Sequence, residues 1–515
     1  MRFNFLNEPI LSVKFADSVM RLSLPALLAA AMRDEIRDLL AVRPHQRQPL
    51  HAFLAQLGAL ALVAAERSDA PVEEAQWATL LRGLTPAWPD DAPWTLVVED
   101  LRKPALLQPP IPEGRIDVLK ESEATPDGLD MLVTSKNHDL KAARMTQATP
   151  EHWFLALLTL QTMEGFLGAG NYGIARMNGG FASRAMVGAA PAGGLGARLR
   201  RDILALAADH DANAAQFAYP AKGGKALLWL EPWDGAAQLQ LGKLDPYFIE
   251  ICRRVRLVAE SGRLSARRAG SAKARIAADK TLNGKTGDPW APYEATKVLT
   301  VDGGGFNYRR VAKLLDPCAF SAAPLQKVRR EDGARGVTLH FLATARGQGG
   351  TDGFHERRIP VPPVAARLLG GGSDALAKAA AEQVEEAGQV RRGALNLALL
   401  VLFQNAPDKI NFRHVASDAK AAPFLAAFDH AVDRIFFDAL FERVEAADDD
   451  GRETARRAWL SQLRTLARQQ LDASEFATPR SGVRRQFAIA AARDALAAAF
   501  FKAFPSMKEA ADAGA

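Results

Sequence analysis

The sequence predicts an α+β protein, with a large mixed α/β N-terminal domain over residues 1–372 and a C-terminal four-helix bundle over residues 373–515. Three observations carry that expectation. Beyond residue 373 the apolar residues recur at helical spacing, as in Phe424, Phe428, Val432, Ile435 and Ala439, and again in Ile489, Ala492, Leu496 and Phe500. Upstream, Val337, Leu339, Phe341 and Ala343 alternate at period two into a glycine-rich tip and are answered by Ile359 and Val361, the pattern of a β-hairpin. Between these regions Pro360, Pro362, Pro363 and the run GGGS at 370–373 mark a boundary.

The first 110 or so residues read as a short strand-like opening followed by helices rich in Leu and Ala. The apolar run at 54–64 is too short to cross a membrane and reads as a buried helix. Proline, glycine and charge break the pattern over 109–130, and WFLALLTLQTM from Trp153 begins the next helix. Glycine is dense over 165–195, which excludes a stable helix there. Apolar runs broken by proline and glycine over 226–258 suggest strands or short helices. The stretch 253–285 then turns basic, with ten cations in 33 residues, and its interspersed small residues read as flexible. Bundle helices are expected near 374–404, 422–445, 451–474 and 484–503, with Ser373 as an N-cap and DDDG at 448–451 as a solvated turn.

A chain of 515 residues exceeds one ordinary core. Lys plus Arg is 65 against 59 for Asp plus Glu, and the resulting charge of +6 suits a polyanionic partner without requiring one. Cys252 and Cys318 make neither a disulfide framework nor a four-thiolate zinc site. The opening MRFNFLNEPILSVKF lacks the apolar core of a signal peptide, so a cytoplasmic protein without a membrane partner is expected.

Signatures of catalysis are missing: no His-Glu-x-x-His, no Gly-x-Ser-x-Gly and no complete phosphate loop occurs, and LNGKTG at 282–287 lacks the upstream glycine. Asp408 with His414, or His355 with Glu356, are isolated acid–base pairs, so a metal-dependent nucleic-acid-processing enzyme would need a dispersed active site. Loops are more informative. In Arg346-Gly347-Gln348-Gly349-Gly350 the glycines bare the hairpin tip and leave one long amide projecting. The run 168–180 holds Gly170, Asn171, Tyr172, Arg176, Asn178 and Gly179, whose backbone could line a nucleic-acid groove; it does not match the dinucleotide-binding fingerprint. TSKNHDLK at 134–141 has the small polar and cationic composition of a phosphate-contacting loop.

Taken in order, FNFLNEPIL, RPHQRQPLHAFLAQL from Arg43, GLDMLVTSKNHDLK from Gly128, GNYGIARMNGG from Gly170, TGDPWAP from Thr286 and ARGQGGTDGFHERR from Ala345 resemble the CasA family, the large subunit of the type I-E CRISPR Cascade complex. The resemblance implies a non-catalytic, antiviral subunit without cofactors. Its implied partners are the CRISPR RNA-bound Cascade subunits, double-stranded target DNA and a helicase-nuclease effector. It implies that the flanking motif, the PAM, is read through the minor groove by a glycine loop, a cation and a glutamine wedge before R-loop formation. The loop corresponds to 168–180 and the wedge to Gln348, flanked by Arg346, Gly347 and Gly349; for the cation, Lys273 and Arg275 are the candidates. The loop that docks on the RNA-bound backbone corresponds to Ser135, Lys136, Asn137 and His138. Some members carry a cysteine cluster that looks metal-binding; here only Cys252 lies in that region, so no metal is expected.

Overall fold

The computed structural model describes residues 1–130, 145, 147–177, 184–347, 350–370, 374–478 and 482–508. It divides into two units, Met1–Phe306 with Ala319–Pro360, and Asn307–Cys318 with Val361–Ala515. The break follows Pro360, earlier than the glycine run, because Pro362 and Pro363 end strand pairing and open a helix, Pro363–Gly370, that joins the second unit.

The first unit is built around helix α2 (Pro44–Ala64), which is preceded by strands β1 (Leu11–Lys14) and β2 (Val19–Leu22), helix α1 (Leu24–Met32) and strand β3 (Asp38–Leu39). Strand β1 pairs antiparallel with both β2 and β3. Helix α2 packs against α4 (Pro150–Met163) and α5 (Leu195–Gln216), with α3 (Glu74–Gly83) alongside. The expected buried helix is therefore present and begins ten residues earlier, at Pro44, where proline is tolerated because a first-turn N–H needs no intrahelical partner. Two buried polar side chains on α2 are bonded to other elements, as burial favours: His51 Nε2 to Asp202 at 2.7 Å, and Gln56 Nε2 to the carbonyls of Tyr247 and Phe248 at 3.1 Å.

Four further strand systems complete the unit among the described residues. Strands β4 (Glu121–Glu123), β9 (Arg254–Glu260) and β10 (Arg263–Ala269) form a sheet in the order β4-β10-β9. The first half of the basic stretch is thus an antiparallel hairpin and not a flexible segment. Its turn holds Ser261 and Gly262 at φ +49° and +76°, the conformation a two-residue hairpin demands. Strands β6 (Lys225–Leu227) and β8 (Leu244–Ile249) run parallel, as do β7 (Leu239–Gln240) and β11 (Ile276–Ala277). The expected period-two arms are β12 (Val337–Gly347) and β13 (Gly350–Val361), joined to β5 (Met186–Pro191) in the order β13-β12-β5. Val337, Leu339, Phe341, Ala343, Ile359 and Val361 are all buried, as alternation requires.

In the second unit four helical segments follow one another. The first is α8 (Asp374–Gln389), which continues through a π-helical segment, Val390–Leu395, into α9 (Asn396–Phe403); α10 (Val415–Glu445), α11 (Asp449–Ser474) and α12 (Val483–Ala503) complete the set, with α6 (Tyr308–Leu314) and α7 (Pro363–Gly370) packed on them. Ile489, Ala492, Leu496 and Phe500 are buried, as are Phe428, Val432 and Ala439, while Phe424 and Ile435 are half-buried. DDDG is not a turn. Asp448 caps α11 by accepting from the Gly451 N–H at 2.8 Å, and the rest forms its first turn, where carboxylates suit the helix dipole. Ser373 lies outside the described residues.

Candidate nucleic-acid interface

Helix α4 starts from Thr149, whose hydroxyl accepts from the His152 N–H, and stops at Glu164. From Glu164 to Met177 the chain has no regular secondary structure, as its glycine content predicts. Its shape is set by a few bonds. Leu167 N–H donates to the Asn171 carbonyl at 2.9 Å and Asn171 N–H to the Gly168 carbonyl at 3.0 Å, which closes a tight turn. Gly170 sits at φ +85°, and its carbonyl accepts from Ser271 N–H at 2.9 Å. At Gly173 a Cβ would lie 2.5 Å from the carbonyl carbon of Gly165, so only glycine allows the two backbones to pass.

Glu164 is the hub of this region. Its Oε1 lies 2.5 Å from Arg346 Nη1 and its Oε2 lies 3.4 Å from Arg253 Nη2, with all three side chains buried. Arg253 also donates to the Gly165 carbonyl at 3.1 Å and to the Tyr172 carbonyl. One carboxylate therefore ties the outgoing arm of the hairpin, the glycine loop and the start of the basic stretch together.

Several expected contact residues have other employment. Arg176 is 1% exposed, lies 3.9 Å above the Phe248 ring and donates to the carbonyls of Pro246 and Phe248, so it is a core cation and not a groove contact. Arg275 donates to the carbonyls of Glu231 and Pro232 at 2.8 and 3.2 Å, stacks on Trp233, and is pushed down to about 10 by burial. Arg346 points inward to Glu164. Lys273, in contrast, is exposed and lies two residues beyond Ser271, which is bonded to the glycine loop. Asn171 and Tyr172 are half-buried, with the Tyr172 ring 5.9 Å from Phe166, and Gly347 ends β12. Asn178, Gly179, Gln348 and Gly349 lie outside the described residues.

The cations of 253–285 do not form one patch. Arg256 is buried, bonded to the carbonyls of Val98 and Lys103, and pushed down to about 10 by desolvation. Arg268 pairs with Glu121 and Glu123 at 3.0 and 2.7 Å. Charge counting missed this because it carries no information on which face of a strand a residue occupies.

Ser135, Lys136, Asn137 and His138 lie outside the described residues, but the stem of their loop is described. Asp130 is buried and accepts from Arg43 at 3.0 Å and from Gln46 at 3.0 Å, with His45 Nε2 at 2.9 Å. Arg43 also bonds Asp127 at 2.6 Å. Two motifs quoted separately above, RPHQ and GLD, are thus two sides of one polar cluster. Neither its members nor Glu164 stood out in the sequence; the available signal was a charge flanked by apolar residues, which in a folded core is nearly always paired.

Of the isolated acid–base pairs, His414 caps α10 by accepting from the Ser417 N–H, and Glu356 pairs with Arg358 at 2.6 Å. Cys252 is buried with its thiol pushed up to about 12, and it contacts the Leu160 carbonyl at 3.3 Å. Among the described residues no three His, Cys, Asp or Glu side chains converge where they could hold a metal ion, and no helix is long and apolar enough to cross a membrane.

A mixed first unit carrying a glycine loop and a long hairpin, followed by a helical second unit, defines the class. The sequence profile of the CRISPR-associated protein Cse1 family matches residues 4–470, and the chain belongs to that family, also called CasA. No curated protein matches it. Among solved structures, CasA (Cse1) of Thermus thermophilus is similar with a TM-score of 0.67 at 17% identity, covering 97% of this chain and 99% of that one. Cse1 of Acidimicrobium ferrooxidans has a TM-score of 0.65 at 15% identity, covering 98% and 99%. Cse1 of Thermobifida fusca has a TM-score of 0.65 at 15% identity and covers 98% of both chains. Family membership supports a large subunit of Cascade.

Proposed function

We propose that this chain is the non-catalytic large subunit of an RNA-guided CRISPR surveillance complex in the cytoplasm. It reads the PAM in duplex DNA through the minor groove, helps open the duplex for R-loop formation, and offers a landing surface for the helicase-nuclease. The division of labour is physically sound: RNA–DNA pairing supplies sequence, and the protein reads only a few base pairs before opening begins. A wedge at Gln348 offsets unstacking, which costs a few kcal/mol per step, through the contacts a parted duplex makes available. Because the minor groove is degenerate, several related motifs are tolerated.

What supports this reading most is the bond from Ser271 N–H to the Gly170 carbonyl, which holds the stretch bearing exposed Lys273 against the glycine loop. Lys273 is thus the cation we assign to the groove. The test is strand opening on target duplex by the complex assembled with Gln348→Ala: slowed opening with retained assembly supports the reading, and unchanged opening removes the wedge. The docking role we assign to Ser135, Lys136, Asn137 and His138 rests on the buried stem at Asp130.

A further inference from the structure

Apart from the region above, the first unit holds a cleft of about 360 Å³ between α2, α5 and the sheet of β5, β12 and β13. Four arginines and two carboxylates line it. Two of these pairs are mutual, Arg47 with Asp38 at 3.1 Å and Arg358 with Glu356 at 2.6 Å, which leaves Arg37 at the rim and Arg198 at the floor. Among the described residues Arg37 has no ion pair. Arg198 lies 4.0 Å from Asp202, but that carboxylate is already bonded to His51 at 2.7 Å and Arg201 at 2.9 Å.

The floor is short of acceptors. Arg198 Nη2 donates to Gln48 Oε1 at 2.9 Å, and the two residues are only 8% and 3% exposed. Gln48 Nε2 and Arg198 Nε are buried with no hydrogen-bond partner. Both orphans are donors, so what is missing is an acceptor, and a desolvated guanidinium asks for a charged one. His340, also in the lining, is held down to about 3 by burial and by the charges of Arg198 and Arg358, so its imidazole is neutral. His51 and Thr338 also line the cleft, and most of the remaining wall is aliphatic, with Leu27, Leu39, Leu54, Leu195, Leu199 and Leu342. A bare inorganic anion would leave most of such a volume unfilled, since clefts from about 300 Å³ upward suit organic ligands.

We propose that this cleft is a binding site for a small organic phosphate, with the phosphoryl group between Arg198, Gln48 and Arg37 and a compact organic body against the leucines. The two arginines without a mutual carboxylate match the charge of a phosphomonoester near neutral pH, which is about −1.5 to −2. A tetrahedral group also offers acceptors to the rim and the floor at once. The site is independent of the DNA-reading role.

The test is calorimetric titration of the full chain with AMP, inorganic phosphate and adenosine as probes. AMP is expected to bind at one site more tightly than phosphate, adenosine not to bind, and the His340 ring signals to shift with AMP. Arg37→Gln is expected to weaken AMP by about tenfold, and Gln48→Glu, which preserves shape but faces the phosphate with a carboxylate, to abolish binding. Thermal unfolding checks that Gln48→Glu is folded; if it is not, Arg37→Gln decides. Equal binding of adenosine and AMP, no saturable AMP binding at millimolar concentration, or AMP binding indifferent to Arg37→Gln overturns the proposal.

Discussion

Arg346 on the outgoing hairpin arm and Glu164 at the exit of helix α4 lie 2.5 Å apart, far from each other in sequence and both buried. The pair fixes where the arm leading to Gln348 emerges relative to the glycine loop. Breaking a buried pair costs about 3–5 kcal/mol because the remaining charge is stranded. We therefore expect Glu164→Gln and Arg346→Gln each to lower stability by that order and to slow strand opening by the assembled complex. The double mutant should recover part of both losses, by about 0.5–3 kcal/mol in stability. Strictly additive losses in a double-mutant cycle would show that the pair does not act as a unit.

Lys273 and Arg176 should separate cleanly. Lys273→Ala is expected to leave stability within about 0.5 kcal/mol and to reduce the salt slope of duplex binding by about one unit. Arg176→Met removes bonds to two carbonyls inside the core, so it should cost about 1–3 kcal/mol in stability with no change in that slope. Binding isotherms at several salt concentrations check both; a slope change in Arg176→Met contradicts its placement.

Glu250 gives the fold a pH dependence. Burial raises its pKa to about 7 even though Arg176 lies 3.9 Å away and Arg184 is nearby; Asp288 reinforces the rise. The folded state therefore holds a proton that the unfolded chain releases near its ordinary value of 4.5. The stability this group contributes is fully present below about pH 4.5 and is lost as pH rises through about 7, a loss on the order of 3 kcal/mol. Glu250→Gln keeps an oxygen for the Ala175 N–H and cannot titrate, so its stability should fall less between pH 5 and 8. Urea unfolding across that range decides, and identical slopes in both proteins contradict the assignment.

Asp130 anchors the stem of the proposed docking loop through Arg43, His45 and Gln46. Asp130→Ala leaves those donors without their acceptor, at a cost on the order of 1–3 kcal/mol. It is expected to release this subunit from the assembled complex more than it weakens duplex binding by the complexes that retain it. Size-exclusion analysis of the assembled complex reads the ratio; full retention contradicts the role.

Much of the fold is legible because burial imposes a period: two in the arms of the hairpin, between three and four along α10 and α12. The start of the second unit is less legible, because three prolines and a glycine run both signal a break and only packing chooses between them. The basic stretch is hard to read for a different reason. Counting charge does not distinguish exposed from buried cations, and Arg253, Arg256 and Arg275 satisfy backbone carbonyls in the core; Ser261-Gly262 between two apolar-bearing runs is the local hairpin signal. The same holds for Arg176, whose burial beside buried Ile174 and Met177 a glycine-rich setting conceals. Long-range pairs such as Glu164 with Arg346 leave no local pattern at all.

In the proposed function this subunit reads duplex beside the target. Its most direct test is binding of the assembled complex to a duplex library randomised at the flanking positions, with wild type and Lys273→Ala compared. Wild type is expected to enrich a small set of related flanking motifs, and Lys273→Ala to enrich them more weakly. Binding by wild type that is indifferent to the flank would contradict it.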